Sequence, residues 1–255
     1  MAENCIYATF GRFQPPTKGH EANFDGLKDK ADQAGCPFLI YVSQQHDPST
    51  KGWKNKYPLT REMKLKWLKK GFPHYASKFV SDPYFMKGVI YVCKHIANKK
   101  PEGQIWDHLV LVFGDDEAKQ FKSFVPRYNM WDYPIQFDAN GNAKENPKAE
   151  FTFGRIEIQS SGKRLDGDKG DGAKKVDDAP DAPAAQKLGG EEKEKDGKPV
   201  ADGKVSGTNL RKHAQNGDLD EFQAMCPSGI AKSDKLAQDY MNDLRVGMKL
   251  PKIKF

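Results

Sequence analysis

The apolar residues of the chain fall into short, continuous runs that are separated by segments with helical spacing. The first run spans residues 5–10, a second is "FLIYVS" at residues 38–43, and a third is "HLVLVFG" at residues 108–114. Continuous apolar runs of this length predict strands that are buried on both faces of a sheet. Two more segments, "KFVS" and "FTFGRIEIQSS", predict one strand before the third run and one after it.

Helices are predicted between these strands. Apolar residues recur at helical spacing over residues 24–34, 60–71 and 84–98, and Gly35 supplies a stop for the first of these helices. Up to three more helices are predicted toward the C-terminus. Strands that alternate with helices predict an α/β fold, here a Rossmann-like, doubly wound parallel sheet of about five strands with a small helical C-terminal region.

One stretch interrupts this alternation. Between Lys163 and Lys204 there are ten Lys or Arg and eleven Asp or Glu residues, and there is no aromatic residue. Such a composition buries too little apolar surface to fold. We therefore predict an α/β core at residues 1–161, a disordered charged linker at 162–204, and C-terminal helices at 205–255 that pack on the core.

The charge of the chain narrows the class of ligand. The net charge is +6, and without the linker it is +7, from 31 basic and 24 acidic residues. This excess suits a polyanionic ligand, either a nucleoside triphosphate or nucleic acid, and it also fits a scattered, solvated surface. No stretch approaches the roughly 18 apolar residues of a membrane span, and the N-terminus lacks a secretion-signal pattern, so we expect a cytoplasmic protein without a membrane partner.

The cysteines are consistent with that compartment. Cys5, Cys36, Cys93 and Cys226 lie far apart, and no CxxC pair occurs. Their spacing predicts neither a zinc site nor a disulfide framework, as is usual in a reducing cytosol.

The segment "GRFQPPTKGH", residues 11–20, follows the first predicted strand directly. A strand that ends in a glycine-bearing loop and leads into a helix brings backbone N–H groups and the positive end of the helix to one point at the carboxyl edge of the sheet. Gly11 permits a close approach to the backbone, Pro15 and Pro16 stiffen the loop, and Gly19 lets His20 face the same pocket. The loop is therefore a predicted phosphate site that carries an imidazole.

These ten residues resemble the HxGH signature of the nucleotidylyltransferase superfamily, particularly the GRFQP form of archaeal-type nicotinamide-mononucleotide adenylyltransferases. Thr17 stands where the signature has its first histidine, as in the TxGH form of phosphopantetheine adenylyltransferases, and His20 retains the second. A distant segment, "VSGTNLR" at residues 205–211, is similar to the ISxTxxR motif with which the same superfamily binds the triphosphate. The resemblance implies that Ser206 and Thr208 donate to phosphate oxygens and that Arg211 holds the leaving pyrophosphate.

Two weaker matches lie between these motifs. "YPLTREMK" resembles the NPFTxxER segment, which implies that the acceptor lies near Lys56, Thr60 and Arg61. "VFGDD" resembles the glycine and acidic residue that follow the fourth strand, which implies that Gly114 and Asp115 or Asp116 contact the ribose or a metal. The order of the motifs is similar to that of nucleotidyltransferase-like proteins of tailed bacteriophages, and for such a protein the compartment would be the host cytoplasm.

The resemblance implies a nucleotidyltransferase of adenylyl or cytidylyl type. An acceptor phosphate or hydroxyl oxygen attacks the α-phosphorus of a nucleoside triphosphate, and pyrophosphate leaves. His20 would donate to an α-phosphate oxygen, while Thr17 would hold a neighbouring oxygen and Lys18 would neutralise pyrophosphate. The remaining predicted contacts of the nucleotide come from Gly11, Arg12, Phe13 and Gly19. Mg²⁺ would bind through the substrate phosphates, without a dedicated protein site.

The sequence leaves the identity of the acceptor substrate open. The GRFQP form favours ATP with nicotinamide mononucleotide, whereas cytidylyl transfer to a polyol or sugar phosphate uses the same machinery. A class I aminoacyl-tRNA synthetase is disfavoured because the chain has no KMSKS-like loop. A non-catalytic, nucleotide-binding or virion-associated phage protein is the alternative from another class. The expected partners are a nucleoside triphosphate and a small phosphorylated acceptor; nucleic acid stays open as a less favoured partner, and a homo-oligomer is possible.

Overall fold

A computed structural model describes residues 4–80, 88–98, 106–130, 136–137, 143–144, 150–162 and 205–255. The strands are β1 (Cys5–Gly11), β2 (Phe38–Val42), β3 (Phe79–Val80), β4 (His108–Phe113), β5 (Gln136–Phe137), β6 (Ala143–Lys144) and β7 (Arg155–Ser160). The helices are α1 (Gly19–Ala34), α2 (Arg61–Gly71), α3 (Val89–Asn98), α4 (Asp115–Phe124), α5 (Gly207–Asn216), α6 (Leu219–Met225), α7 (Ser228–Ala231) and α8 (Asp234–Gly247). The predicted linker, apart from Gly162, and the first residues of the helix predicted at 84–98 lie outside the described residues.

Five strands form one parallel sheet in the order β3-β2-β1-β4-β7. β1 lies at the centre, with Tyr7 opposite Phe38 of β2 and Cys5 opposite His108 of β4. β5 and β6 form a separate antiparallel pair. The predicted Rossmann-like α/β fold is confirmed, because every pairing in the main sheet is parallel and helices connect the strands.

Apolar side chains cover both faces of the sheet, as the continuous apolar runs predict. In β1, Cys5 and Tyr7 join a core with residues of α1 and α2 on one face. The alternate residues of the same strand, Ile6, Ala8 and Phe10, join a core with residues of α3 and α4 on the other face. The two cores explain why these strands have no polar alternation.

The C-terminal helices have a core of their own that extends to the outer side of α2. Trp67 of α2 is fully buried among residues of α5, α6, α7 and α8, and its indole N–H donates to the Asp243 carboxylate at 2.9 Å. Close backbone packing seals the contact, since a Cβ atom on Gly247 would collide with the Pro58 carbonyl group. Residues 205–255 therefore pack on the α/β unit at α2 and at the segment before it.

The cysteine prediction is wrong at one pair. Cys5 and Cys36 form a disulfide with a Cα–Cα distance of 5.6 Å, which lies in the usual range. Cys5 begins β1 and Cys36 lies just before β2, so the pairing of these two neighbouring strands brings together residues that are 31 positions apart. Spacing along the chain contains no sign of this proximity. Cys93 and Cys226 are free and buried.

The disulfide leads to a stability prediction. Closing a loop of this size contributes roughly 3.5–4 kcal/mol, mainly by restricting the unfolded chain. We expect a reducing agent, or the change Cys36→Ser, to lower the free energy of unfolding by that amount in urea titrations. Cys93→Ala in the presence and absence of the reductant reports on the free thiol, and a wild-type midpoint that does not respond to reduction contradicts the prediction.

Candidate active site

The carboxyl ends of β1 and β4 mark the point at which the strand order reverses. The chain runs from β1 outward through β2 to β3, and it then returns to β4 on the other side of β1. Ligands of open α/β sheets bind in the crevice at such a switch point. The pairing of β1 with β4 therefore brings the loop that begins at Gly11 and the turn at Gly114 to one edge, as the sequence motifs require.

The loop between β1 and α1 is held by hydrogen bonds from distant parts of the chain. The amide nitrogen of Gln14 donates to the carbonyl oxygens of Gln45 and Leu59 at 2.7 and 2.8 Å, and the Leu59 N–H donates to the Gln14 side-chain oxygen at 3.0 Å. The Tyr240 hydroxyl donates to the Pro16 carbonyl oxygen at 2.8 Å. A loop fixed in this way orients its polar groups before a ligand arrives.

The structure shows which side chain lies beside Gly11. A Cβ atom on Gly11 would collide with the ring of Phe13, so the missing side chain makes room for that ring. Phe13 has a φ of 46° and is buried, with its ring centroid 5.1 Å from that of His20 and 5.4 Å from that of Phe24. The Phe13 ring thus packs against the imidazole of His20 in an edge-to-face contact.

Thr17 and His20 interact directly. The Thr17 backbone N–H donates to Nδ1 of His20 at 3.0 Å, and the Thr17 hydroxyl lies 3.0 Å from the same nitrogen. The Thr17 carbonyl oxygen is farther from it, at 3.3 Å. Because a backbone N–H can only donate, the first contact requires an unprotonated Nδ1 and places the ring hydrogen on Nε2. His20 is then a hydrogen-bond donor at Nε2.

The start of α1 lies beside this pair. Lys18 is the N-cap residue, and its side chain is exposed. Its backbone N–H donates to the Met225 carbonyl oxygen at 3.1 Å. Gly19 follows as the first helical residue, and a Cβ atom there would lie 3.8 Å from Cγ1 of Val205. The C-terminal region therefore contacts the first turn of α1 from two sides.

The second motif lies against the first. Ser206 caps α5, accepting a hydrogen bond from the Asn209 N–H at 3.1 Å. A Cβ atom on Gly207 would lie 3.2 Å from the Gln14 carbonyl oxygen and 3.3 Å from Cδ of Pro15, so this glycine allows the helix to approach the loop. Segments almost 190 residues apart in the chain thus meet at one place.

Arg211 lies in the contact between these segments. It is buried, and its guanidinium donates to the Gln14 carbonyl oxygen at 2.7 Å, to the Trp53 carbonyl oxygen at 3.1 Å and to the Thr208 hydroxyl at 3.3 Å. These contacts join α5 to the loop and to the segment before α2. The guanidinium predicted to hold pyrophosphate is engaged with the protein itself, and so is the hydroxyl of Thr208.

The three residues predicted to face the acceptor make different contacts. Thr60 caps α2 by accepting from the Met63 N–H at 3.3 Å, Lys56 is exposed, and the Arg61 side chain lies 4.0 Å from the Glu62 carboxylate. Arg12 is exposed, and its Nη1 donates to the hydroxyl of Tyr57 at 3.1 Å. That bond brings the tip of the loop to the segment containing Lys56.

The turn after β4 contributes an acidic group at the same edge. Gly114 caps α4, and the Asp115 carboxylate accepts a hydrogen bond from the hydroxyl of Ser160 at the end of β7. Asp116 is exposed. The hydroxyl of Ser161 donates to the side-chain oxygen of Asn23 in α1 at 2.6 Å. Asp115 is thus held against β7, and Asp116 extends toward solvent.

Lys64 is a polar residue of this region that the motif comparison did not single out. It is fully buried on α2, and its ammonium donates to the carbonyl oxygen of Ser43, directly after β2, at 2.6 Å. Burial and, to a smaller extent, the charge of Arg12 lower the pKa of Lys64 to about 7. A helical pattern would have found it, because Lys64, Leu68 and Gly71 share the buried face of α2.

The pKa of Lys64 predicts a pH dependence of stability. Between about pH 7 and the ordinary pKa of lysine near 10.4, the unfolded chain binds a proton that the native state does not. The free energy of unfolding therefore rises with pH in this window, by about 1 kcal/mol per pH unit. We expect Lys64→Met to remove that rise in urea titrations at about pH 7 and pH 8.5, with Lys69→Met as the exposed control on the same helix. Parallel pH profiles for wild type and Lys64→Met contradict this.

Among the residues that the structure describes, no group of three or more His, Cys, Asp or Glu side chains is arranged to hold a metal ion. In the same described ranges, no helix is both long enough and apolar enough to cross a membrane. A comparison with models of known protein families and a comparison with curated proteins found no match to this chain.

Proposed function

We propose that the protein is a nucleotidyltransferase that moves a nucleoside monophosphate from a nucleoside triphosphate, with ATP as the first candidate, to a small phosphorylated acceptor. One observation carries the proposal: the start of α5 packs on the loop between β1 and α1, at the switch point of a parallel sheet. Two motifs that resemble the same superfamily are thus adjacent, although they are distant in the chain.

His20 would act on the reacting phosphate. An oxygen of the acceptor attacks the α-phosphorus, the bond from that phosphorus to the bridging oxygen breaks, and pyrophosphate leaves with the bonding electrons. The Nε2–H of His20 donates to a nonbridging α-phosphate oxygen, whose negative charge increases as the acceptor approaches. Support for this role comes from the Thr17 N–H, which holds the hydrogen on the far nitrogen of the ring.

Exposed cations would neutralise the negative charge of the triphosphate. Lys18, at the start of α1, and Arg12, at the tip of the loop, are exposed at the same edge of the sheet. Arg211 would act indirectly, by holding the loop in place through the Gln14 carbonyl oxygen. Mg²⁺ carried by the triphosphate would neutralise phosphate charge, and the exposed Asp116 carboxylate is suited to a water-mediated contact with it.

The proposal is tested by a screen for turnover. Purified protein is mixed with ATP or CTP, Mg²⁺ and one of several acceptors, including nicotinamide mononucleotide and polyol or sugar phosphates, and pyrophosphate is measured. We expect release that depends on one acceptor and one nucleotide. Nucleotide binding without turnover, in the presence of every acceptor, would instead favour a non-catalytic binding protein.

Lys18→Ala supplies a prediction within this screen. Its ammonium is exposed and would contact the phosphates in the bound and the reacting state alike, so the change should raise KM several-fold with a smaller effect on kcat. Lys28→Ala, on the same helix and farther from the loop, is the control. A kinetic profile of Lys18→Ala that matches the control would remove Lys18 from the site.

A further inference from the structure

Three chain segments form a basic surface beside the loop after β1. Residues 44–57, 205–217 and 245–255 together contain nine Lys or Arg residues and one acidic residue, Asp47. Arg211 and Arg245 are buried, and the seven lysines are exposed or partly exposed. The excess of these lysines over Asp47 equals the net charge of the whole chain, which is +6. The positive charge of the protein is therefore concentrated in these segments, which we call the Trp53 surface.

Hydrogen bonds make the three segments contiguous. The Trp53 N–H donates to the side-chain oxygen of Gln215 at 3.1 Å, and the Trp53 carbonyl oxygen accepts from Nε of Arg211 at 3.1 Å. The neighbouring Gly52 N–H donates to the Met248 carbonyl oxygen at 3.0 Å. A 3-10 turn at Gly52–Lys54 thus lies between α5 and the end of α8.

The last residues of the chain add exposed cations to this surface. Ile253 is fixed to Asn242 by two hydrogen bonds of 2.8 and 3.1 Å, and a Cβ atom on Gly217 would lie 2.8 Å from its side chain. With Ile253 turned inward, the flanking residues Lys252 and Lys254 are exposed. The last residues of the chain are therefore held in a defined position on the Trp53 surface.

Aromatic rings lie among these cations. The ring of Trp53 is partly exposed, and the ammonium groups of Lys212 and Lys54 lie 4.5 and 5.6 Å from its centroid. At the edge nearest the loop, the guanidinium of Arg12 lies 6.0 Å from the centroid of Tyr57. Rings on which bases stack, set among cations that follow a phosphate backbone, are the combination that binds single-stranded nucleic acid.

We infer that the Trp53 surface binds single-stranded nucleic acid, with the phosphates on Lys54, Lys212 and Lys252 and a base stacked on Trp53. An acidic peptide would use the lysines without the ring. An anionic membrane could use both, and a comparison with anionic vesicles separates it from a single strand. The inference does not depend on the proposed transfer reaction, because it concerns binding only and its test needs no enzymatic turnover.

Charge reversal tests the lysines. The binding of a fluorescent single-stranded oligonucleotide is measured by anisotropy at several salt concentrations. We expect Lys54→Glu, Lys212→Glu and Lys252→Glu together to weaken binding by at least about 100-fold, and to reduce the slope of log K against log salt by about 2, since each lost phosphate contact on a single strand contributes about 0.7. The control is Lys30→Glu, Lys119→Glu and Lys122→Glu, which changes the net charge equally on α1 and α4.

Replacement of the ring tests the partner. The contacts that fix residue 53 are made by its backbone, so Trp53→Ala should leave the fold intact. It should weaken single-stranded binding roughly tenfold and leave duplex binding nearly unchanged, whereas Trp53→Phe should retain most of the affinity.

If the variant with all three lysines changed to Glu does not fold, Lys54, Lys212 and Lys252 are changed to Gln instead.

Three results would overturn the inference. The first is an absence of single-stranded binding by the wild-type protein at physiological salt. The second is equal binding by the two triple variants. The third is an unchanged affinity of Trp53→Ala together with tighter binding to anionic lipid vesicles than to the oligonucleotide, which would assign the lysines to a membrane surface.

Discussion

His20→Ala is expected to lower kcat by about 10²–10³ while the protein stays folded. The ring is proposed to donate a hydrogen bond that strengthens as charge develops on the α-phosphate, and the loss of one such preorganised donor costs about 2.7–4 kcal/mol. The affinity for the nucleoside triphosphate should change far less, because the interaction is mainly realised in the transition state. Steady-state kinetics of pyrophosphate release, with calorimetric titration of the nucleotide, measure both quantities.

Two variants make this result specific to the ring. His74→Ala removes an exposed imidazole away from the loop and should leave kcat unchanged. His20→Gln keeps an amide donor near the position of Nε2 and should recover part of the rate. The loss of the Nδ1 acceptor for the Thr17 N–H should cost only about 1 kcal/mol of stability. A well-folded His20→Ala protein with normal kcat would end the assignment.

Arg211→Ala is expected to destabilise the protein by about 3–6 kcal/mol and to reduce turnover as a consequence. Its guanidinium donates to two backbone carbonyl oxygens and, over a longer distance, to one hydroxyl. The two bonds to carbonyl oxygens contribute about 1.5–3 kcal/mol each. Because one of the acceptors is the Gln14 carbonyl oxygen, its loss should loosen the loop that carries His20. Chemical denaturation and pyrophosphate release, measured on the same preparations, report the two effects.

Neighbouring changes separate this structural role from phosphate binding. Lys212→Ala removes the next cation along α5, which is only partly buried, and should have little effect on stability. Arg211→Lys keeps the charge without the planar fork and should restore only part of the stability. If Arg211→Ala retains full stability but loses nucleotide affinity, Arg211 contacts the ligand directly, as the motif comparison predicted.

The fold could be predicted because buried parallel strands have a strong sequence signal. β1, β2 and β4 are almost entirely apolar, and Gly35 ends α1 as the pattern predicted, in the left-handed conformation. α4 could not be predicted from apolar spacing, since only Ala118 and Phe121 are buried in a helix of ten residues. α7, which has four residues, and the two-residue strands β5 and β6 are too short to give a pattern.

The candidate site was only partly predictable for a different reason. The sequence could predict that the segments after β1 and β4 lie at the same edge of the sheet, because the carboxyl ends of neighbouring parallel strands share an edge. The motifs did not indicate the partner of each side chain: Thr60 caps a helix, and Arg211 binds backbone. The helical pattern could have placed Lys64 on the buried face of α2, but not its contact with the Ser43 carbonyl oxygen, which depends on how α2 packs over the end of β2.

The fate of the phosphates of the bound nucleotide tests the central claim most directly. The triphosphate is supplied with a label in its α-phosphate or in its γ-phosphate, together with Mg²⁺ and each candidate acceptor of the screen in turn. A nucleotidyltransferase must place the α label in the acceptor adduct and the γ label in an equal amount of pyrophosphate. Release of the γ label as orthophosphate, or recovery of both labels in intact nucleotide that binds at the loop, would contradict the account.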